Sequence, residues 1–332
     1  MSNKTKKQHY VPQFYLKNFG NKNKNGFFIY CYDINQNKQY PANIRNIAEE
    51  KDFYKIGSEN FEEFFQNTEE LASPIINNLS KTKKIKPLNI SRNRYKLSFF
   101  MSVQYFRTNE MRQDLLENFS KISNHLKKYP MNTKMEMFND QIDKKFIKHH
   151  QINFINKSSQ EMTASLVSKK WIVLKNKTEI EFITSDNPIV LYNPNGLLGF
   201  ACEHIHIFYP INPKLCLCLL DPENYSNYKE PKKFKNNEII LNIMKTKEHN
   251  INSIDEINFI NDLQAMNATQ HIFSKNDNFD RIKYLTEHKK IIPSNERERV
   301  KMKVLKNPKN GNDILVFSHP NDNLNFEFKE FY

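Results

Sequence analysis

The chain has 332 residues, with 50 Lys and Arg against 37 Asp and Glu, a formal net charge of +13. That length is ample for a buried core. The charge favours anionic partners such as nucleic acid or a membrane surface, although a Lys- and Asn-rich composition also yields lysines that only solvate a surface. Six glycines occur, and no P-loop, G-x-G-x-x-G, G-x-S-x-G or H-E-x-x-H is present, which excludes nucleotide hydrolysis of the P-loop kind.

In chain order, residues 1–7 are basic and expected to fray. The stretch "NGFFIYCYDINQNKQYPANIRNI" reads as a β-hairpin with an aromatic strand at 27–33 and a turn rich in Asn and Gln. A helix is expected from about Phe61, and Pro74 should kink or restart it. The strongest helix signal spans 91–120: Ser91 is placed to cap it, and Leu97, Phe100, Met101, Met111, Leu115 and Phe119 recur on one stripe. Further helices are expected within 133–155 and 157–168.

The pattern then changes. "KKWIVLKN", "EIEFITSDNPIVLYN", "HIHIFYPI" and "KLCLCLLD" are short β-rich runs separated by turn residues and read as an antiparallel sheet. The segment 253–274 returns to helix, with Ser253 and Glu256 at capping-box spacing. "RVKMKVLKN" and "DILVFSHP" read as a terminal hairpin. The expected class is α+β, a helical N-terminal half packed on a mostly antiparallel sheet from the C-terminal half. Residues 1–332 read as one composite domain, 1–170 holding the hairpin and helices and 171–332 the sheet and late helix.

Cys31, Cys202, Cys216 and Cys218 form no C-x-x-C pair, which disfavours a structural zinc. Cys216 and Cys218 share one face of a strand and read as buried free thiols, which suits a reducing compartment. No signal-peptide pattern or membrane-length apolar run is present. The expected location is the cytoplasm, with no membrane partner.

Gln104 falls on the apolar stripe of the 91–120 helix, and Arg107 follows one turn on. A Gln and an Arg facing a core need partners, because an unpaired buried polar group costs roughly 1–3 kcal/mol and a buried charge more. Arg107 is either a structural tie to a carboxylate or an anion clamp. Its expected partner is Asp186 first and Glu70 second, from the acidic set Glu62, Glu63, Glu69 and Glu70. Asp186 follows an apolar strand, where an Asp serves as metal ligand, general base or simple turn cap. His204 and His206 would share a strand face, and solvent-facing imidazoles on an edge strand are the plainer reading than a metal pair.

"QHYVPQFYLKNF" at Gln8–Phe19, Asp52-Phe53-Tyr54, Gln104-x-x-Arg107-Thr108, Thr184–Pro188 and Pro210-x-x-Pro213 stand in one chain. Together with Asn261, Gln264 and Ala268 on the late helix, they resemble a large, mostly bacterial family catalogued as domain-of-unknown-function family 4238. The family often has Pro after the Thr of Q-x-x-R-T. This chain has Asn109 there, which is expected to leave the helix uninterrupted. The resemblance covers most of the chain and adds weight to His9, Gln104, Arg107 and Asp186 as a set. It implies no particular reaction.

On this reading the opening segment is a mostly buried core strand that pins His9 beside Gln104, Arg107 and Asp186. The leading functional expectation is a nucleic-acid-acting hydrolase, a nuclease-type effector of bacterial defence or toxin systems. His9 would be the general acid or base, Arg107 would stabilise charge, and Gln104 and Asp186 would complete the catalytic set. Gln8, Tyr10 and Asn187 would bind substrate. Asp186 and Glu70 would hold a divalent ion such as Mg, and RNA or DNA would be the partner. The first alternative is a non-catalytic module binding nucleic acid or a protein partner, in which the same residues form a buried polar lock. The second is an enzyme acting on a small anionic metabolite.

Overall fold

The computed structural model describes residues 7–56, 59–128, 144–194, 196, 198–221, 232–233, 239–240, 245–309 and 311–318. The expected fraying of residues 1–6 and the start of the helix expected at 133 lie outside these residues.

The chain begins with β1 (Lys7–His9) and the one-turn helix α1 (Gln13–Leu16). Strands β2 (Asn21–Asn23), β3 (Gly26–Asp33), β4 (Lys38–Asn43) and β5 (Glu49–Lys51) follow, then the short pair β6 (Lys55–Ile56) and β7 (Glu59–Asn60). The helices α2 (Glu62–Thr82), α3 (Ser91–Phe106), α4 (Asn109–Leu126) and α5 (Lys144–Ser168) form the middle of the chain. Next come β8 (Lys170–Asn176), β9 (Thr184–Ser185), β10 (Val190–Tyr192), β11 (His206–Asn212) and β12 (Leu215–Leu220). After the pair β13 (Lys232–Lys233) and β14 (Ile239–Ile240) stand β15 (Lys247–Ile251), α6 (Ile254–Met266), β16 (His271–Ser274), α7 (Asp280–Glu287) and the hairpin β17 (Lys301–Lys306) and β18 (Asp313–Ser318).

The α+β class holds, but the expected division into a helical half and a sheet half does not. Helices are spread through the chain and strands occur in both halves. The N-terminal hairpin does not stand alone. β3 pairs with β4 on one edge and with β2 and the late strand β16 on the other, and β9 extends that sheet beyond β16. The second five-stranded sheet runs β10-β11-β12-β8-β15 and is antiparallel except for the parallel pair β15 and β8.

Its strands β11 and β12 are buried at every position, because helices cover both faces. Ile207, Tyr209, Leu217 and Leu219 face the core shared with Phe65, Ile76, Leu97 and Phe100 of α2 and α3. Their neighbours Phe208, Cys216 and Cys218 face the opposite way, toward Ile257, Ile260 and Leu263 of α6. A near-continuous apolar run such as "KLCLCLL" is what a strand covered on both sides requires. All four cysteines are free, and Cys216 and Cys218 are buried.

Several local expectations are corrected. α2 continues through Pro74 without restarting. Ser91 is the first helical residue and makes no capping bond, while Ile90 holds the cap position. The helix expected over 91–120 breaks at Arg107–Thr108. Thr108 is extended (φ −71°, ψ 160°), and its hydroxyl accepts the Met111 amide at 3.3 Å, capping α4. The two helices expected up to residue 168 are one, α5, over its described part. Ser253 caps α6 in position but not by a side-chain bond, and the 271–274 end of that segment is strand, not helix.

The break at Thr108 makes Asn109 the first residue of a new helix, where proline is favoured and the extended residue before it is compatible. Asn109→Pro is therefore expected to raise stability by about 0.4–1 kcal/mol through the unfolded chain. Denaturant unfolding of the variant beside the parent checks this, and a lowered midpoint would contradict the break.

Candidate functional site

The opening segment is buried as expected, with only Lys17 exposed between Gln8 and Phe19. It is not one strand, however. β1 runs antiparallel to β5 with His9 opposite Glu49, and Pro12 then turns the chain into α1. Gln8 Oε1 accepts the Tyr54 amide at 2.7 Å, and its Nε2 reaches Glu62 at 3.4 Å. The Tyr54 hydroxyl donates to the His9 carbonyl at 3.1 Å. The Tyr10 amide donates to the Ala48 carbonyl at 2.9 Å, and the Tyr10 ring tilts against Phe53 with centroids 5.1 Å apart. Thus "QHY" and "DFY" are two sides of one clamp. Gln8 and Tyr10 are among its buried parts.

Gln104, in the last turn of α3, holds this clamp to the helices. Its Nε2 donates to the Tyr10 carbonyl at 3.0 Å, and its Oε1 accepts Arg107 Nε at 2.8 Å. Arg107 is 1% exposed and its Nη1 pairs with Glu69 Oε1 at 2.9 Å. Its guanidinium lies over the Phe65 and Phe100 rings at 5.5 and 6.0 Å. Arg107 therefore does pair with a carboxylate, but with neither expected one. Glu70 is exposed and accepts Gln66 at 3.1 Å.

Asp186 is elsewhere engaged. Its Oδ1 accepts the Thr269 amide at 2.8 Å, and its Oδ2 accepts the Gln270 and His271 amides at 2.8 and 2.9 Å. Burial pushes its carboxyl above the ordinary range, against the pull of His271 and those amides. The turn-cap reading describes this residue. Asp186 and Glu70 do not make a metal site together, and among the described residues no group of three or more His, Cys, Asp or Glu is arranged to hold one. Asn187 donates from Nδ2 to the Asn267 carbonyl at 3.2 Å, which fixes it to the end of α6. It lines a separate cleft rather than the surroundings of His9.

A different set is linked through Glu69. His9 Nε2, Arg107 Nη2 and the Tyr209 hydroxyl are buried with no hydrogen-bond partner among the described residues. Glu69 acts electrostatically on His9, Tyr209 and Tyr54, and Arg107 acts on both tyrosines. Burial lowers the His9 pKa from its ordinary value, with Glu49, Glu69 and backbone hydrogen bonds at Ile44 and Arg45 pulling it back. The imidazole is therefore neutral at pH 7 and free to take a proton. Burial also raises Tyr209 well above the ordinary tyrosine range, so it stays a hydroxyl donor. A neutral base, a charged donor and a hydroxyl donor are the components that proton transfer beside an anion needs. The Glu69 side chain, 27% exposed, carries the set to the surface.

Glu69 was legible. Phe65, Ala72, Ile76 and Leu79 are the buried stripe of α2, and position 69 falls on it at i+4 from 65, whereas 70 lies about 100° around the helix. Tyr209 sits among apolar neighbours on β11, and no local pattern marks it. The expected pair His204 and His206 is not a pair. His204 is in a turn at φ +59°, whereas His206 is buried on an inner strand, where burial lowers it to about 4.

These features define an α+β chain whose clamped N-terminal segment carries the His of a partly buried His–Arg–Glu–Tyr set. The chain belongs to the family described as protein of unknown function (DUF4238), whose model matches residues 7–278. No curated protein and no solved structure matches it. No helix among the described residues is long and apolar enough to cross a membrane.

Proposed function

We propose that this chain is a hydrolase of nucleic-acid phosphodiester bonds, with RNA as the favoured substrate, acting at His9, Glu69, Arg107 and Tyr209. The observation that carries the reading is the set of three buried hydrogen-bonding atoms without partners around one Arg–Glu pair. RNA brings its own nucleophile, so the protein need only move protons and balance charge. His9 Nε2 takes the proton of the 2′-hydroxyl, whose oxygen attacks phosphorus. The bond to the 5′ oxygen breaks, and that oxygen takes a proton from solvent beside the half-buried Glu69; water then opens the 2′,3′-cyclic phosphate while His9 returns its proton to the 2′ oxygen. Arg107 Nη2 and the Tyr209 hydroxyl donate to the non-bridging oxygens as charge grows on them. No step is routed through a metal, because Asp186 is occupied by three amides and Glu70 faces away. The net charge of +13 draws a polyanion to the surface. A role as an effector of bacterial defence or as a toxin goes with this reading.

A second reading has its own support. Gln8, Gln104 and Asp186 all bond to backbone, and Arg107 is 1% exposed, as in a polar lock within a non-catalytic module. One experiment separates the two: labelled RNA and DNA are incubated with the protein, with and without divalent metal, beside His9→Ala and Glu69→Gln. Thermal unfolding is followed on the same preparations. Catalysis predicts RNA cleavage that falls roughly 10²–10⁴-fold in His9→Ala, with stability changed by no more than about 1–2 kcal/mol. It also predicts weakening with salt at a slope of about −0.7 per phosphate contacted. A flat salt response with no cleavage under any metal would leave the lock.

A further inference from the structure

A cleft lies between the first turns of α4, the Asn187–Leu191 segment and the chain at 297–299, and the proposed hydrolysis does not use it. Part of its wall is apolar, supplied by Met111, Ile189, Leu191, Leu198 and Met266, and the rest is polar or charged, with Glu110, Asp114, Arg297, Glu298 and Arg299 among it. Among its polar lining residues, Tyr105, Asp114 and Asn187 carry the argument. Within the described residues the Tyr105 hydroxyl makes no hydrogen bond, and the Asp114 carboxyl comes only within 3.8 Å of Arg299 Nε. Asn187 uses its Nδ2 on Asn267 and keeps its carbonyl oxygen as an acceptor. The nearby Glu110 is occupied by Arg297 Nη1 at 3.1 Å and by Arg299 Nε and Nη2 at 2.8 and 3.1 Å. The wall therefore presents compensated charge and does not call for a charged ligand.

We propose that this cleft binds a nucleobase, whose hydrogen-bonding edge is read by the Asp114 carboxyl. Apolar side chains suit the two faces of a flat ring, and a few convergent polar groups fix its orientation. A protonated carboxyl offers a donor beside an acceptor. That matches the amino group and adjacent ring nitrogen of adenine or cytosine. A carboxylate offers two acceptors and matches the paired N–H groups of guanine instead.

The surroundings decide which form is present. Asp114 is pushed up to about 8, first by burial and then by Glu110, with Glu117 adding and Arg299 and Arg297 opposing. The Tyr105 hydroxyl faces it from α3 and remains protonated. At neutral pH the cleft therefore selects adenine or cytosine, and the preference turns toward guanine as pH rises past about 8. This binding does not depend on hydrolysis, so each proposal can fail without the other.

The test is calorimetric titration of the full chain with adenosine, cytidine, guanosine and uridine at about pH 6 and about pH 9. Adenosine and cytidine are expected to bind at least about tenfold more tightly than guanosine at the lower pH, the discrimination one bidentate edge supplies, with reversal at the higher. Asp114→Asn keeps a donor beside an acceptor, so it should retain adenosine and lose the pH dependence. Asp114→Leu should lose adenosine. Leu198→Trp, at the half-buried rim, should fill the cleft and abolish binding. Octaadenylate in the same titration tells the source of the base: tighter, salt-sensitive binding assigns a nucleic-acid strand, and affinity equal to adenosine assigns a free nucleoside. No saturable binding of any of the four by folded protein would overturn the proposal. So would binding that survives Leu198→Trp, or Asp114→Asn with an unchanged pH response.

Discussion

Asp186→Ala is expected to destabilise the chain by about 3–5 kcal/mol, the cost of removing a buried charged group and leaving its partners unmet. One carboxylate accepts three consecutive amides, those of Thr269, Gln270 and His271. Those amides lie at the turn that brings the chain from α6 into β16, so their loss frees the turn and the strand together. Asp186 also receives strand order in return, since its own amide donates to the His271 carbonyl at 2.9 Å. For a chain of this size the melting temperature should fall by roughly 4–7 °C. Asp186→Asn should cost less, because it keeps one acceptor oxygen. If Asp186→Ala instead melts like the parent while an activity disappears, the residue is chemical and its role as a turn cap is wrong.

The second large effect runs the other way. Asp114→Asn should stabilise the chain at pH 7 by on the order of 2–4 kcal/mol. The sign follows from where the proton is held. The folded chain holds a proton on Asp114 up to about pH 8, whereas the unfolded chain releases it near pH 4. Between those values the folded state binds more protons than the unfolded state, so the contribution of this group to stability falls as pH rises. It is fully present below about pH 4 and lost progressively toward pH 8, at about 1.4 kcal/mol per unit. Asn does not titrate, so the gap between variant and parent should grow from pH 5 to pH 7.5. Denaturant unfolding at both values measures it. A variant less stable than the parent at pH 7.5 would mean that Asp114 is ionised there and held by Arg299.

The elements legible in the sequence were those whose burial leaves a local mark. The run "KLCLCLL" became β12 because both its faces are covered. The aromatic stretch at 27–33 became β3 because its turn is built from Asn35, Gln36 and Asn37, and Asn37 takes the left-handed conformation at φ 50°. What stayed illegible was decided at long range. Nothing in "HIFS" announces that it completes the sheet begun at β3, so the chain read as a helical half packed on a sheet half when the two are interleaved. The break at Thr108 was hidden because a capping threonine and a helical threonine read alike until the neighbouring packing chooses between them. Within the site, Gln104 and Arg107 stood out as polar residues on an apolar face, and the structure does bond them to each other. Asp186 stood out as well, but an Asp at a strand end reads the same whether it caps amides or does chemistry.

The pairing of β3 with β16 also sets an order of events during synthesis. The edge formed by Tyr30 to Asp33 receives its partner, His271 to Ser274, only after about 240 further residues have been joined. At ribosomal speeds of about 5–20 residues per second, that is a wait of roughly 10–50 s. Throughout it, the strand has β4 on one edge, while on the other β2 covers only Gly26 to Phe28 and leaves the amides and carbonyls of Tyr30 to Asp33 open. Such an edge is a template for any other nascent chain in the same condition. The newborn polypeptide therefore passes through a long interval of adhesiveness that the finished fold does not display. Its yield in a cell should depend on holdase chaperones and on translation rate more than on the stability of the completed molecule.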